Sequence, residues 1–258
     1  MNRLLKSSYL AAIYLFFYFP IAVLIVYSFN SSAYSLVWQG FSLDWYRQLL
    51  SDSALFQVAW HSLAVAIIAA TLATIIGTMA STTLYRYRFL GRKMLHALIF
   101  ILIVSPDIVM GISLLILFSF SHTSLGFLTL LLSHITFCIP FVVVTVYSRL
   151  TSIDKNIFEA AKDLGANDFT IFLRIILPLL MPAVIAGWLL SFTLSMDDVI
   201  ISFFVTGPNF EILPLKIYSL VRLGVKPEIN ALCSVIFGLT LLLVTMAQVL
   251  QKKNKLSQ

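Results

Sequence analysis

Long apolar runs alternate with short polar segments along the whole chain. Six such runs stand at 8–29, 59–85, 96–119, 125–148, 179–204 and 229–250. At 1.5 Å per helical residue, each is long enough to cross a hydrocarbon core roughly 30 Å thick. Backbone groups in lipid must be satisfied within their own segment, so the pattern predicts an all-α integral membrane chain with about six transmembrane helices. The first run follows Arg3 and Lys6, as in a signal peptide, but it is too long for one and no A-x-A-like site closes it; it reads as a retained first helix. Between the runs, Ser42 can cap a short amphipathic turn through LDWYRQLL, and Gly207-Pro208 marks a turn after the fifth span.

Composition agrees with the pattern. Of the 258 residues, 60% are hydrophobic and 11% charged, and the mean hydropathy is +0.98. Once the spans are built, no residues are left for a sizeable soluble domain, so residues 1–258 are expected to form a single transmembrane domain. An energy-converting domain would then belong to another polypeptide. The net charge of +6 does not point to nucleic acid, because the basic residues sit in small clusters beside apolar runs, where they set topology. Cys138 and Cys233 lie in separate apolar segments without ligand spacing and read as packing residues.

Lys and Arg also give the orientation. With the amino terminus inside, the inner segments hold Arg3, Lys6, Arg86, Arg88, Arg92, Lys93, Arg149, Lys155, Lys162, Arg174, Lys252, Lys253 and Lys255; the outer ones hold Arg47, Lys216, Arg222 and Lys226. Thirteen against four predicts that both termini are cytoplasmic. No internal repeat is visible, which argues against an inverted-repeat transporter.

One inner segment, within residues 149–178, is a charged island in this apolar chain. From Ser152 to Phe169 it carries helix formers, with Phe158, Ala161, Leu164 and Gly165 near one face and Glu159, Lys162 and Asp163 elsewhere. Such a short amphipathic helix, followed by a segment that stops at Pro178, suits insertion into a partner's groove; an ordinary solvated loop helix is the plainer alternative. Glu159, Ala160, Ala161, Gly165, Ile175, Leu177 and Pro178 stand at the spacing E-A-A-x3-G-x9-I-x-L-P. This spacing resembles the EAA loop of ABC importer permeases, of the type I architecture. The resemblance implies that the loop couples to an ATP-binding subunit.

The resemblance extends over nearly the full chain. The runs FNSS, WQGF, LYRYRF, SPDIVMGISLL, SHITFCIPFVVVTVYSRL, FTLSMDDV, FVTGP and EILPLKIYS are similar to the second permease subunit in the family of bacterial spermidine/putrescine importers. It implies a bacterial inner-membrane permease that forms half of a polyamine translocation path by alternating access. Implied partners are an ATP-binding subunit in two copies, a second and different permease, a periplasmic polyamine-binding protein and the polyamine itself. ATP and magnesium would be bound by the partner, leaving this subunit without a cofactor. Asp168 stands where relatives carry another acid.

Three carboxylates fall inside the expected spans: Asp107 near the middle of the third, and Asp197 and Asp198 in the outer part of the fifth. An Asp at a helix centre costs roughly 2.5 to 3.5 kcal/mol on insertion scales, and no Lys or Arg lies within a span to offset it. Such acids face a wet cavity, stay protonated, cap a helix break, bond to hydroxyls such as Ser105 and Ser195, or await cations from outside. A polyamine would bring those cations. Pro106 permits a kink beside Asp107. Asp197 and Asp198 would stand about 100° apart on one helix, and Asp198 is the favoured lumen residue. Trp45 could attract an ammonium group through its ring, although an interfacial aromatic belt explains it as well. Lys216, Arg222 and Lys226 are expected to help dock a binding protein.

An intramembrane protease is disfavoured, since G-x-S-x-G, H-E-x-x-H and a G-x-G-D setting are all missing. His61, His96, His122 and His134 share no ligand spacing and read as packing or interfacial residues, with no metal expected. Without G-x-x-x-x-G-K-[ST] the chain does not hydrolyse nucleotide itself and is not expected to be an enzyme. A proton-coupled secondary transporter is the main alternative, and an ABC permease for a different solute the next. The island argues against the first, because a proton-coupled carrier needs no such loop.

Overall fold

The computed structural model describes residues 3–32, 37–154, 156–222 and 227–255. Among these residues every regular element is a helix, joined by turns and loops, with an isolated antiparallel bridge between Asn30 and Phe41. Four helices are long and apolar enough to cross a membrane: α1 (Arg3–Tyr27), α3 (Ser53–Arg86), α6 (Phe127–Thr151) and the helix running from Asp168 to Asp197. A bent pair, α4 (Arg92–Val104) and α5 (Asp107–Phe120), makes a fifth if counted as one span. The apolar part of α12 (Pro227–Lys255), Pro227–Leu242, is shorter.

The chain divides into two compact units. In the terminal unit, residues 1–57 and 217–258, α12 packs against α1 and against the short α2 (Asp44–Ser51). The segment between α1 and α2 is tied down here by polar contacts. Trp45 Nε1 donates to the Asn30 carbonyl at 2.8 Å, Asn30 Nδ2 donates to the Val37 carbonyl at 2.7 Å, and Ser28 and Tyr46 hydroxyls meet at 2.6 Å. The Trp45 ring is therefore only partly exposed, held by its own loop.

The central unit, Val58–Lys216, is built around α6, more than half of whose apolar window is buried. On α3, Ala66, Ala69, Ala70 and Ala73 are wholly buried, and this stripe of small side chains lets two helix backbones approach closely. Ala69 packs with Leu131 and Ile135 of α6. The last long helix enters through α8 (Asp168–Ile171) and a π-helical turn at Phe172–Ile176, then runs as α9 (Leu177–Asp197). Pro178 has no N–H to give to the preceding turn, and the wider bonding there, with Leu177 N donating to the Phe172 carbonyl, absorbs the mismatch.

Two expected spans prove to be broken. At Ser105-Pro106 both residues are extended, Pro106 caps α5, and α4 and α5 meet at 115°. Proline removes a helical donor and disfavours helical geometry in the residue before it, so the kink that Pro106 permits is here a full break with a sharp turn. Asp107 accordingly opens α5 and does not stand mid-span. The fifth run breaks at Asp198, whose backbone is extended (φ −69°, ψ 124°), before the short α10 (Ile200–Val205). The 100° separation of Asp197 and Asp198 therefore does not apply.

Candidate functional site

Both breaks open onto one cavity of about 340 Å³ in the central unit. Its polar lining is Ser105, Asp107, Asp197 and Asp198, and its apolar walls include Phe137 and Phe141 of α6, Leu194 of α9 and Met110 of α5. Asp107 and the Asp197–Asp198 pair, distant in sequence, are brought together because each sits at a point where a span is interrupted. Gly111 lets α5 lie close to α10: a Cβ there would stand 2.7 Å from Phe204 Cδ2 and 3.3 Å from Ile201 Cα.

The acids are not equivalent. Asp107 and Asp197 are exposed, and among the described residues neither side chain has a protein partner. Asp198 is only 7% exposed in its side chain, and its oxygens are occupied. One accepts from Ser202 N at 2.8 Å and from Ser202 Oγ at 2.6 Å; the other accepts from Ile201 N at 3.2 Å. Asp198 thus caps the amides that the break leaves free.

Behind Asp198 lies His134 of α6, with no exposed surface. Its Nε2 is 2.9 Å from Ser202 Oγ and 3.5 Å from Asp198 Oδ2, while its Nδ1 is 2.7 Å from Ser195 Oγ. The Ser202 hydroxyl proton goes to Asp198, so Ser202 Oγ accepts from Nε2–H, while Nδ1 and the Ser195 hydroxyl share the second bond. Ser195, expected on the path, is buried, bonds this histidine and does not line the cavity. His134 itself was expected to be a packing residue. The available signal was a lone buried-type histidine in a 25-residue apolar helix, a position that needs polar partners from elsewhere. His61 and His96 do make ring contacts, with Phe210 and Tyr147.

The charged island folds as α7 (Asn156–Asp163) followed by a sharp turn. Ala166 N donates to the Ala161 carbonyl and Gly165 N to the Lys162 carbonyl, which closes the helix, with Gly165 left-handed at φ +81°. Space around Gly165 is open, so the backbone angle, and not close approach, calls for glycine. The expected apolar face divides. Ala161 and the half-buried Phe158 pack with Val146 and Leu150 of α6 and with Ile171, Ile175 and Ile176, whereas Leu164 points out, 88% exposed. Phe169 is also exposed, and Glu159 and Ala160 share the outer surface. Leu177 and Pro178 start α9.

Asp168 joins this loop to α3. It pairs with Arg86 at the end of that helix, and Lys162 Nζ lies 3.5 Å away. The Arg86 guanidinium also sits 5.4 Å over the Phe158 ring. A groove lined by Arg86, Phe158, Asp168 and Phe169 runs beside the pair. Of the basic residues expected to dock a binding protein, Lys216 and Arg222 lie on α11 (Leu213–Arg222), where Lys216 pairs with Glu211 at 3.1 Å and Arg222 stacks over Tyr218; Lys226 lies outside the described residues. Trp45 belongs to the terminal unit and the acids to the central one.

Similar proteins give this arrangement its family. The spermidine/putrescine transport system permease protein PotC of Escherichia coli K12 is 56% identical over 98% of this chain and 96% of its own length. Its namesake in Haemophilus influenzae is 51% identical over 97% of each chain, and the putrescine transport system permease protein PotI of E. coli K12 is 46% identical over 86% of this chain and 82% of its own. Among solved structures, a bacterial ABC transporter that imports the acidic polysaccharide alginate matches 96% of this chain and 98% of its own with a TM-score of 0.72 at 18% identity. The inward-facing MetNI methionine ABC transporter matches 75% and 92% with a TM-score of 0.62, also at 18% identity, so these two speak to the fold. Residues 73–253 match the family described as binding-protein-dependent transport system inner membrane component, and with relatives above half identity over its full length the chain belongs to that family.

Proposed function

We propose that the chain is a transmembrane permease subunit of an ATP-driven polyamine importer. It provides part of the path for spermidine or putrescine and takes its energy from an ATP-hydrolysing partner. The observation that carries this reading is the cavity at the two helix breaks. Unpaired carboxylates on Asp107 and Asp197 stand there beside apolar walls, in a chain 56% identical to a spermidine/putrescine permease. An ammonium group needs an anion, and the methylene links of a polyamine need apolar surface between anions. The cavity offers both.

Coupling is assigned to the island at residues 149–178. Leu164 and Phe169, exposed beside Glu159 and Ala160, are a small apolar knob with a polar rim, suited to a groove of the ATP-binding subunit. Ala161, Ile175, Leu177 and Pro178 act from behind by fixing the loop to α6 and α9, and Gly165 sets its turn. The further partners are a second, different permease, two copies of the ATP-binding subunit and a periplasmic polyamine-binding protein. Both termini are cytoplasmic, with six spans in one transmembrane domain.

The test is radiolabelled spermidine uptake into proteoliposomes that hold the complete purified complex, with binding protein outside and ATP inside. ATP-dependent uptake is expected, unaffected by collapsing a proton gradient. Uptake driven by a proton gradient without ATP would make the acids proton carriers and sink the proposal.

A further inference from the structure

His134 bridges the two sides of the α9–α10 break. Ser195 lies in the last turn of α9, and Ser202 in the first turn of α10. The imidazole holds both, one on each ring nitrogen, at 2.7 and 2.9 Å. At the break itself the helical ladder is interrupted: Asp198 is extended, and its carboxylate caps the α10 amides. The backbone alone therefore leaves open the direction in which α9 ends, and with it the direction of Asp197. The histidine is fixed in turn, because α6 is the buried axis of the central unit and the ring meets Phe137 edge-on at 5.3 Å. Phe137 and Asp197 both line the cavity.

We propose that His134 is a positioning residue, a clamp whose two nitrogens lock the α9–α10 break so that Asp197 is held toward the cavity for the substrate's ammonium group. The last clause rests on the polyamine reading above; the clamp itself does not. A clamp works through its donors and acceptors, so side chains of equal bulk should differ. Glutamine carries an amide at the reach of Nε2 and keeps the bond to Ser202 while losing the one to Ser195. Methionine, of nearly the same length and bulk, has no donor for either. A residue that merely fills space would not distinguish the two.

The experiment compares wild type, His134→Gln, His134→Met and His134→Leu in the assembled transporter. It measures hydrogen exchange of the 195–205 segment in nanodiscs, and KM and maximal rate of spermidine uptake in proteoliposomes. We expect exchange to quicken about tenfold in the Met and Leu variants and clearly less in Gln, which keeps one of the two bonds. Alongside it, KM should rise about tenfold in Met and Leu with the maximal rate little changed, as for weakened substrate binding. Equal exchange in Gln and Met, or unchanged KM in a Met variant whose exchange has quickened, would overturn the proposal. If Leu fails to assemble, the Gln and Met pair still decides. If the wild-type complex moves no polyamine, the function reading falls, and the exchange pattern alone tells whether the clamp exists.

Discussion

The Asp198 carboxylate accepts from Ser202 Oγ at 2.6 Å and from two α10 amides, whereas Asp197, its neighbour in sequence, is exposed to the cavity with no partner among the described residues. The same Asp→Asn change should therefore act differently at the two positions. At 197 it removes a charge that only a ligand uses. A charge-assisted hydrogen bond is worth about 1.5 to 3 kcal/mol, so KM for spermidine should rise about 10- to 100-fold with normal amounts of assembled complex. Asp107→Asn should behave as Asp197→Asn does. At 198 the substitution also turns one of two occupied acceptor oxygens into a donor facing an amide, so less complex should be recovered from membranes, which quantitative immunoblotting reads directly. Equal assembly and equal uptake in both variants would contradict the division. Gly165 gives a second contrast at this scale. Its cost on substitution comes from φ alone, about 1 to 2 kcal/mol for an ordinary side chain in left-handed geometry. Gly165→Asn, which tolerates that geometry, should keep most ATP-driven uptake, and Gly165→Val should lose most of it.

Among the elements, the breaks decide how the acids meet, and they were unevenly legible. Pro106 announced an interruption, although sequence alone could not say whether it would kink a helix or turn the chain through 115°. The break at Asp198 had no such herald, because no Gly or Pro stands within several residues of DDV; the bonds that hold it come from Ser202 and, through Ser202, from His134 of α6. Hydropathy sees one residue type at a time, so it located the acids and missed His134, whose partners are 61 and 68 positions away. The island was legible for the opposite reason: its spacing is local, and Gly165 closes α7 through bonds only three and five residues long. Even so, the sequence pattern put Phe158, Ala161 and Leu164 on a common face, when packing against α6 and α9 takes the first two inward and leaves Leu164 outside. If the close contact of α5 with α10 shapes the cavity, Gly111→Val should force Phe204 aside and damage uptake, while an exposed position on α5 is indifferent: Ile112→Val should stay within about twofold because surface substitutions rarely exceed 0.5 kcal/mol. Initial uptake rates at matched complex levels would separate the two, and equal rates would remove Gly111 from the account.

At the scale of the molecule, the central unit connects loop to cavity through the same two helices. The cluster around Ala161, Ile171 and Ile176 continues through Val142, Val146 and Leu150 of α6 and Leu180 of α9; further along those helices, Phe137, Phe141, Leu194 and Asp197 line the cavity. A packed interior does not absorb displacement, so a shift of the loop is carried along α6 and α9 as a body. The loop must then be held to the bundle on its other side as well, and Arg86–Asp168 is the polar tie to α3. Asp168 is nearly half exposed, which brings the pair toward the surface range of about 1 kcal/mol, but Arg86 is mostly buried over Phe158 and is left without its acid if Asp168 is reversed. Either single reversal, Arg86→Asp or Asp168→Arg, should therefore loosen coupling, seen as more ATP hydrolysed per spermidine transported. The double reversal should regain only part of it, because the swapped arginine loses the Phe158 ring and faces Lys162, which now stands 3.5 Å from Asp168. Measured side by side in proteoliposomes, a double variant closer to wild type than either single one means that the tie carries motion between loop and span; a double variant worse than both means that the loop is driven through α6 and α9 alone.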